Sequence, residues 1–362
     1  MLQRNMALSG SLLGLAVGDA MGYSVDKKSW SEICEAYGPN GLLGYDLANG
    51  SADVTSYTQL AAFTANAMLL AITRGSGDSY SPALVLAVRQ WYKSQQFRGA
   101  PDKTRCWVAQ VPSLRRRHCM DTQMLDALSR ETIGTPEKPV FRSITPGALT
   151  AALGVGLCYD SRRMTESQLM RLGMEAVAFT HGRPEAYICG AYLALVIARL
   201  LQDPQTSLTE LFTGALTDVV ARFDATYPED ALQFDALIRK ALALTRDPEM
   251  TPLAAMTVLA CTTAAECVAG AVYAATIHPA NFDEAMIVSV NHSGRSCAVG
   301  ALTGGILGAR LGAEALPEFY LESLECGTYL QELAQDLHDC RQESRIFDDD
   351  WDQKYVQGLP TH

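Results

Sequence analysis

The 362-residue sequence has no C-x-x-C pair and no cysteine/histidine cluster at zinc spacing, although ten cysteines run from Cys34 to Cys340. A zinc module is excluded on that ground. Several cysteines sit among apolar neighbours, as in LGVGLCYD and AYICGAY, the setting of free thiols in a reducing compartment. Positive charge is scarce as well: 29 Lys and Arg stand against 40 Asp and Glu, a net charge of −11. With no Lys/Arg stripe to displace counterions from phosphates, nucleic acid is excluded as a partner. The local run Arg115, Arg116, Arg117 reads as a solvated helix end. Long hydrophobic runs are missing too, because the tract from Cys297 to Ala313 is too short to span a bilayer and Arg310 breaks it. The run from Met6 to Val17 after Arg4 continues as a patterned helix instead of ending at a signal-peptide cleavage site. The expectation is a cytoplasmic protein without a membrane partner.

Strand-like alternation is almost absent, and no low-complexity linker divides the chain. What is there is helical spacing: Leu60, Phe63, Ala67 and Leu70 repeat at three and four residues, as do Ile188, Tyr192, Leu195 and Ala198. Ser207 followed by Glu210 has the form of a capping box and predicts a helix over about 208–222. Pro39, Pro136, Pro139, Pro228 and Pro252 fall in polar or glycine-bearing connections. The pattern predicts one compact all-α domain over 1–362, with a solvated acidic tail at about 340–362 containing Asp348, Asp349, Asp350 and Asp352, and Trp351 packing locally.

Glycine is periodic in two places. Gly10, Gly14, Gly18 and Gly22 recur every fourth residue near the start, and Gly300, Gly304, Gly308 and Gly312 near the end. A helical glycine costs roughly 1 kcal/mol relative to alanine, so such stripes need a reason, and close approach of helix backbones supplies one. Both helices are therefore expected in the central core with their polar ends at one site. Those ends carry Asp19 and Asp26 in GDAMGYSVD; Asp53, Thr55, Ser56, Tyr57 and Thr58 in DVTSYTQ; His181 in THGRPEA; and His292, Ser293, Gly294, Arg295 and Ser296 in NHSGRS. Taken singly, a Ser or Thr before a helix is an ordinary N-cap and a His beside Gly-Arg-Pro a turn residue. Only convergence would make a site of them.

In order and spacing, GSLLGLAVGDAMG, TSYTQLAAFTANAMLL, THGRPEAYICGAYLALVIARLL and VNHSGRSCAVGALTGGILGARLG resemble the ADP-ribosylglycohydrolase family, relatives of dinitrogenase-reductase-activating glycohydrolase. The resemblance implies a compact helical fold that, where active, removes ADP-ribose from a modified side chain with two magnesium ions orienting water. The family places the metal ligands in a Thr/Ser-Asp-Asp-Thr motif before one helix and an Asp-x-Asp-Ser/Thr motif before the late glycine helix. Here the first reads Thr55-Ser56-Tyr57-Thr58 and the second Arg295-Ser296-Cys297-Ala298, so all four motif carboxylates are missing. Magnesium takes hard oxygen ligands, and a guanidinium about 4 Å from a divalent cation meets a repulsion on the order of 8 kcal/mol at an effective dielectric of 20.

Other elements persist or drift. Gly18-Asp19-Ala20 keeps the family's Gly-Asp-Ala element, Asp26 stands where glutamate is usual, and the run that ordinarily carries Met-Arg beside the ligand reads Gly147-Ala148-Leu149-Thr150-Ala151. The expectations are no magnesium or other cofactor, no catalytic residue except Asp26 should the protein be active, and a ligand-side set of Asp19, Thr55, Ser56, Tyr57, Gly147, His181, His292, Ser293, Gly294, Arg295 and Ser296. Three functions compete. The first is a pseudoenzyme that binds a protein such as an ADP-ribosyltransferase, in the manner of an immunity protein, or an ADP-ribosylated target. The second is an ADP-ribose or nucleotide sensor with Arg295 in place of metal, and the third a metal-independent hydrolase.

Overall fold

A computed structural model describes residues 2–47, 50–75, 79–96, 104–344 and 348–361. Four helices begin the chain: α1 (Leu2–Tyr23), α2 (Trp30–Tyr37), α3 (Ser56–Thr73) and α4 (Ser81–Gln96). The middle holds α5 (Thr122–Leu128), α6 (Leu149–Leu157), α7 (Glu166–Ala178), α8 (Pro184–Gln202), α9 (Leu208–Phe223) and α10 (Pro228–Leu244). The remainder comprises α11 (Pro252–Leu259), α12 (Ala264–Ile277), α13 (Phe282–Val290), α14 (Ser296–Leu311), α15 (Glu318–Glu322), α16 (Gly327–Gln342) and α17 (Asp349–Asp352). Among the described residues the only β pairing is an isolated bridge between Ala52 and Leu324. The expected all-α class is observed.

The centre is the antiparallel pair α1/α14. A Cβ on Gly10, Gly14 or Gly18 would overlap the carbonyl oxygen of Gly308, Gly304 or Gly300, and one on Gly22 would meet Ser296. Each glycine thus admits the opposing backbone, which is how the stripes offset their helical cost. Because the pair is antiparallel, the C-terminal end of α1 and the N-terminal end of α14 arrive together. Around it, α3 buries Ser56 through Ala71 without interruption, and α8 is buried over nearly its whole length. Helices apolar on all sides belong inside a layered bundle. At 19 residues α8 is long and apolar enough to cross a membrane, but 83% of its apolar window is packed inside this fold.

Local expectations hold in part. Helix α9 starts after Ser207, whose hydroxyl accepts from the Glu210 N–H at 3.2 Å. Pro228 and Pro252, in contrast, are not in connections: each opens a helix, where its missing N–H costs nothing. Arg116 is not a solvated helix end, because its guanidinium pairs with Asp53 and with Glu325 at 2.7 Å. Nor is the C-terminal tail a solvated end. Trp351 is buried and donates from Nε1 to Thr73 Oγ1 at 2.9 Å, while Lys354 is buried against Glu332 at 2.7 Å and Asp336 at 3.0 Å. The acidic positions Asp349 and Asp350 stay exposed, and residues 345–347 and 362 lie outside the described residues. All ten cysteines are free thiols.

Candidate functional site

The first helix ends on a buried carboxylate. Asp19 accepts four hydrogen bonds from the start of α3: from the Thr55 N–H at 2.8 Å and hydroxyl at 2.7 Å, and from the Thr58 N–H at 3.1 Å and hydroxyl at 2.7 Å. Burial pushes its pKa up while these donors pull it down, with burial prevailing. Both oxygens are engaged at the start of α3, where Oδ2 takes the Thr55 and Thr58 backbone donors that have no partner in the helix. Thr55 is itself the N-cap, accepting from the Tyr57 N–H at 3.3 Å.

One turn further, Arg295 points inward. Its Nε lies 3.5 Å from Asp26 Oδ2, with the Asp26 side chain 2% and the Arg295 side chain 11% exposed. Neither of these two atoms has a hydrogen-bond partner, so the contact is a charge pairing of imperfect geometry. Arg295 Nη2 also donates to the Tyr57 hydroxyl and to the Met120 carbonyl, each at 3.4 Å. Asp26 Oδ1 accepts from the Cys297 N–H at 3.1 Å in the first turn of α14. Burial raises the Asp26 pKa, and Arg295 offsets part of that rise. Tyr57 is wholly buried, which pushes its phenol well above the usual range despite Arg295. The Cys297 thiol is raised in the same way, so it stands there neutral.

A short segment, His118 to Asp121, closes this centre from the side. The Ser56 N–H donates to the His118 carbonyl at 2.9 Å, and the Met120 N–H to Ser56 Oγ at 3.1 Å. Beyond it lies a second polar group. Thr145 donates to Asp121 and lies 2.9 Å from His181 Nε2, while His181 Nδ1 is 2.9 Å from the Thr180 hydroxyl. Gly147 faces Asp121, where a Cβ would stand 2.6 Å from Oδ2. Burial acts to raise Asp121, but His181 and Thr145 outweigh it and hold the carboxyl below its usual value.

The ligand-side residues named from the sequence, and Asp26 named as the catalytic candidate should the protein be active, therefore divide. Tyr57, Arg295 and Asp26 meet in one centre, with Ser56 joined to it through Met120; Gly147 and His181 belong to the adjoining Asp121 group. Asp19 and Thr55 are consumed in capping. His292 serves its own loop: Nδ1 accepts from the Gly294 N–H at 3.0 Å, Nε2 donates to the Ser289 carbonyl at 3.0 Å, and burial lowers its pKa to about 4. The Ser296 hydroxyl donates to the Val290 carbonyl at 2.8 Å, and exposed Ser293 accepts from the Trp30 N–H at 2.9 Å. The sequence reading missed Asp121, Thr145 and the Met120 carbonyl. Only Asp121 left a local signal, as the N-cap of α5 accepting from the Gln123 N–H.

Chemically, the centre offers one inward guanidinium, one paired carboxylate, a neutral thiol and a phenol. Among the described residues no group of three or more His, Cys, Asp or Glu side chains is arranged to hold a metal ion.

The ADP-ribosylglycohydrolase family model matches residues 4–346. A solved structure described as an ADP-ribosylglycohydrolase-related protein complex is similar with a TM-score of 0.58 and 20% identity, covering 94% of this chain and 100% of that one; at this identity it speaks for the fold alone. No curated protein matches the chain. With the family model spanning nearly all of the sequence and the helical fold agreeing, the chain belongs to the ADP-ribosylglycohydrolase family.

Proposed function

We propose that this chain is a catalytically silent member of its family that works by binding a protein partner, an ADP-ribosyltransferase or an ADP-ribosylated target being the kind the family relation suggests. The observation that carries the reading is the Tyr57–Arg295–Asp26 centre, which fills the ends of α3 and α14 with a ring and a guanidinium. These residues do not fit a divalent cation. Asp19 has both oxygens engaged, the free oxygen of Asp26 faces Arg295, and Tyr57 and Cys297 are held in their neutral forms by burial. The sensor reading draws less support, because Arg295 spends its charge inside the protein on Asp26, Tyr57 and Met120. The ten free thiols suit a reducing cytoplasm.

A ligand that binds only the folded state stabilises it by mass action. Millimolar Mg²⁺ should therefore leave Tm unchanged relative to matched ionic strength. A saturable rise in Tm, abolished by Asp26→Asn, would reject the closed centre.

A further inference from the structure

Four non-glycine residues among those described have a left-handed φ: Lys27 at 65°, Ala260 at 59°, Cys261 at 56° and Glu343 at 55°. Residues with a side chain disfavour that region because Cβ crowds the following carbonyl. Glu343 closes the C-terminal end of α16, whereas the other three all grip the loop 291–295 that carries Arg295. The Lys27 N–H donates to the Gly294 carbonyl at 3.0 Å, and the Arg295 N–H donates to the Cys261 carbonyl at 2.8 Å. Gly294 lies so close to this turn that a Cβ on it would stand 2.8 Å from the Ala260 oxygen and 2.5 Å from that of Cys261. Ala260, at φ 59° and ψ −40°, lets the Cys261 N–H reach back to the Leu259 carbonyl at 2.7 Å, a γ-turn of the strained hand.

What this clasp holds is itself poorly satisfied. Arg295 Nε and Asp26 Oδ2 face each other at 3.5 Å, both buried without a hydrogen-bond partner, and the two bonds of Nη2 are long, at 3.4 Å each. Unpaired buried polar atoms are costly, and strained backbone concentrates where a segment has more than one arrangement. A substitute cation stands beside them. Lys27 follows Asp26 in the chain, is exposed, and brings its Nζ to 3.5 Å from the same Met120 carbonyl that Arg295 addresses.

We propose that the end of loop 291–295 is a two-state switch. In the resting state the clasp is closed and Arg295 faces Asp26. In the second state the Ala260 turn relaxes to negative φ, the Cys261 carbonyl releases the Arg295 N–H, the guanidinium moves out to solvent, and the Lys27 ammonium takes over Asp26 and the Met120 carbonyl. One cation replaces another, so the Asp26 carboxylate is stranded in neither state. The hinge is confined to Gly294 and Arg295, because the earlier part of the loop is tied without strain: the Asn291 side chain pairs with both backbone groups of Leu42 at 2.8 Å, and Ser293 accepts from the Trp30 N–H at 2.9 Å. The switch brings to the surface a charge that the resting structure keeps inside, whichever partner the protein binds.

Amide hydrogen exchange of the full-length protein and its A260G, K27M and D26N variants, followed residue by residue by NMR, tests the switch. The Cys261 and Arg295 N–H groups should exchange together, at least about a hundredfold faster than amides in the middle of α14, at a rate that sub-denaturing urea leaves unchanged. A260G, in which glycine adopts the turn without strain, and K27M, which removes the substitute cation, should each slow both amides severalfold. D26N, which frees Arg295 from its counter-charge, should speed them about tenfold. Exchange that rises with urea in step with α14, or that A260G, K27M or D26N leaves unchanged or moves the other way, overturns the switch. Magnesium-dependent turnover with this exchange pattern intact would defeat the proposed function and leave the switch standing.

Discussion

Removing the Arg295 side chain perturbs the centre most cleanly. In R295A the Asp26 carboxylate, 2% exposed, loses the charge facing it at 3.5 Å and keeps only the Cys297 N–H. At an effective dielectric of 20 the lost attraction is about 5 kcal/mol, and breaking a buried pair by removing one partner costs roughly 3–5 kcal/mol. Because Nε and Oδ2 make no hydrogen bond, the cost should fall below that range, at about 2–3 kcal/mol. With an unfolding entropy of about 2.1 cal/mol/K per residue over 362 residues, this lowers Tm by roughly 3–4 °C. The pH dependence carries a sign. Burial raises the folded Asp26 pKa above its unfolded value, and losing Arg295 raises it further, so the folded variant gains from taking up a proton. The penalty of R295A should therefore be largest at neutral pH and shrink as pH falls through the raised pKa. R295A/D26N, with no buried charge to strand, should recover most of the loss. The assay is thermal and urea unfolding of the four proteins of this cycle from pH 5 to 8. An R295A Tm equal to the parent's, or a double variant no better than R295A, would refute the reasoning.

Two further outcomes follow from the same structure. G304A places a methyl against the Gly14 carbonyl in the α1/α14 contact and should cost about 3 kcal/mol or more, whereas G214A, whose Cβ would meet only Arg199 Nη1 at 3.7 Å on α9, should gain up to about 1 kcal/mol; paired Tm measurements decide whether close approach is why the stripe exists. His292 is held neutral with a pKa near 4 against 6.5 unfolded, so its contribution is present above pH 6.5 and is lost as pH falls toward 4, by about 3 kcal/mol in all; stability–pH curves should be flatter over that window in H292Q than in the parent.

The helical class and the opposed glycine stripes were legible because both are periodic, and period is a local property. The four-residue spacing even matches the register in which Gly10, Gly14 and Gly18 meet Gly308, Gly304 and Gly300. The family itself was legible through the resemblance of four motif segments, and the family model matches residues 4–346. What local pattern could not convey is pairing across the chain. Asp53 is committed to Arg116, 63 positions away, and Met120 reaches the centre through the fold rather than through any motif. The tail was misread for a related reason: the run Asp348–Asp350 suggests solvation, while the residues that fasten the segment, Trp351, Lys354 and Tyr355, bury against α3 and α16. Pro228 and Pro252 were placed in connections because their neighbours are polar, but at the first helical position proline's missing N–H costs nothing and it opens a helix.

The central claim, that a tyrosine and an inward arginine have closed the centre to its family's chemistry, is tested most directly by incubating the purified protein with ADP-ribosyl-arginine and ADP-ribosyl-serine substrates, with and without millimolar Mg²⁺. The account predicts no release of ADP-ribose above the buffer rate in either condition. Magnesium-dependent release that is lost in D26N would contradict it.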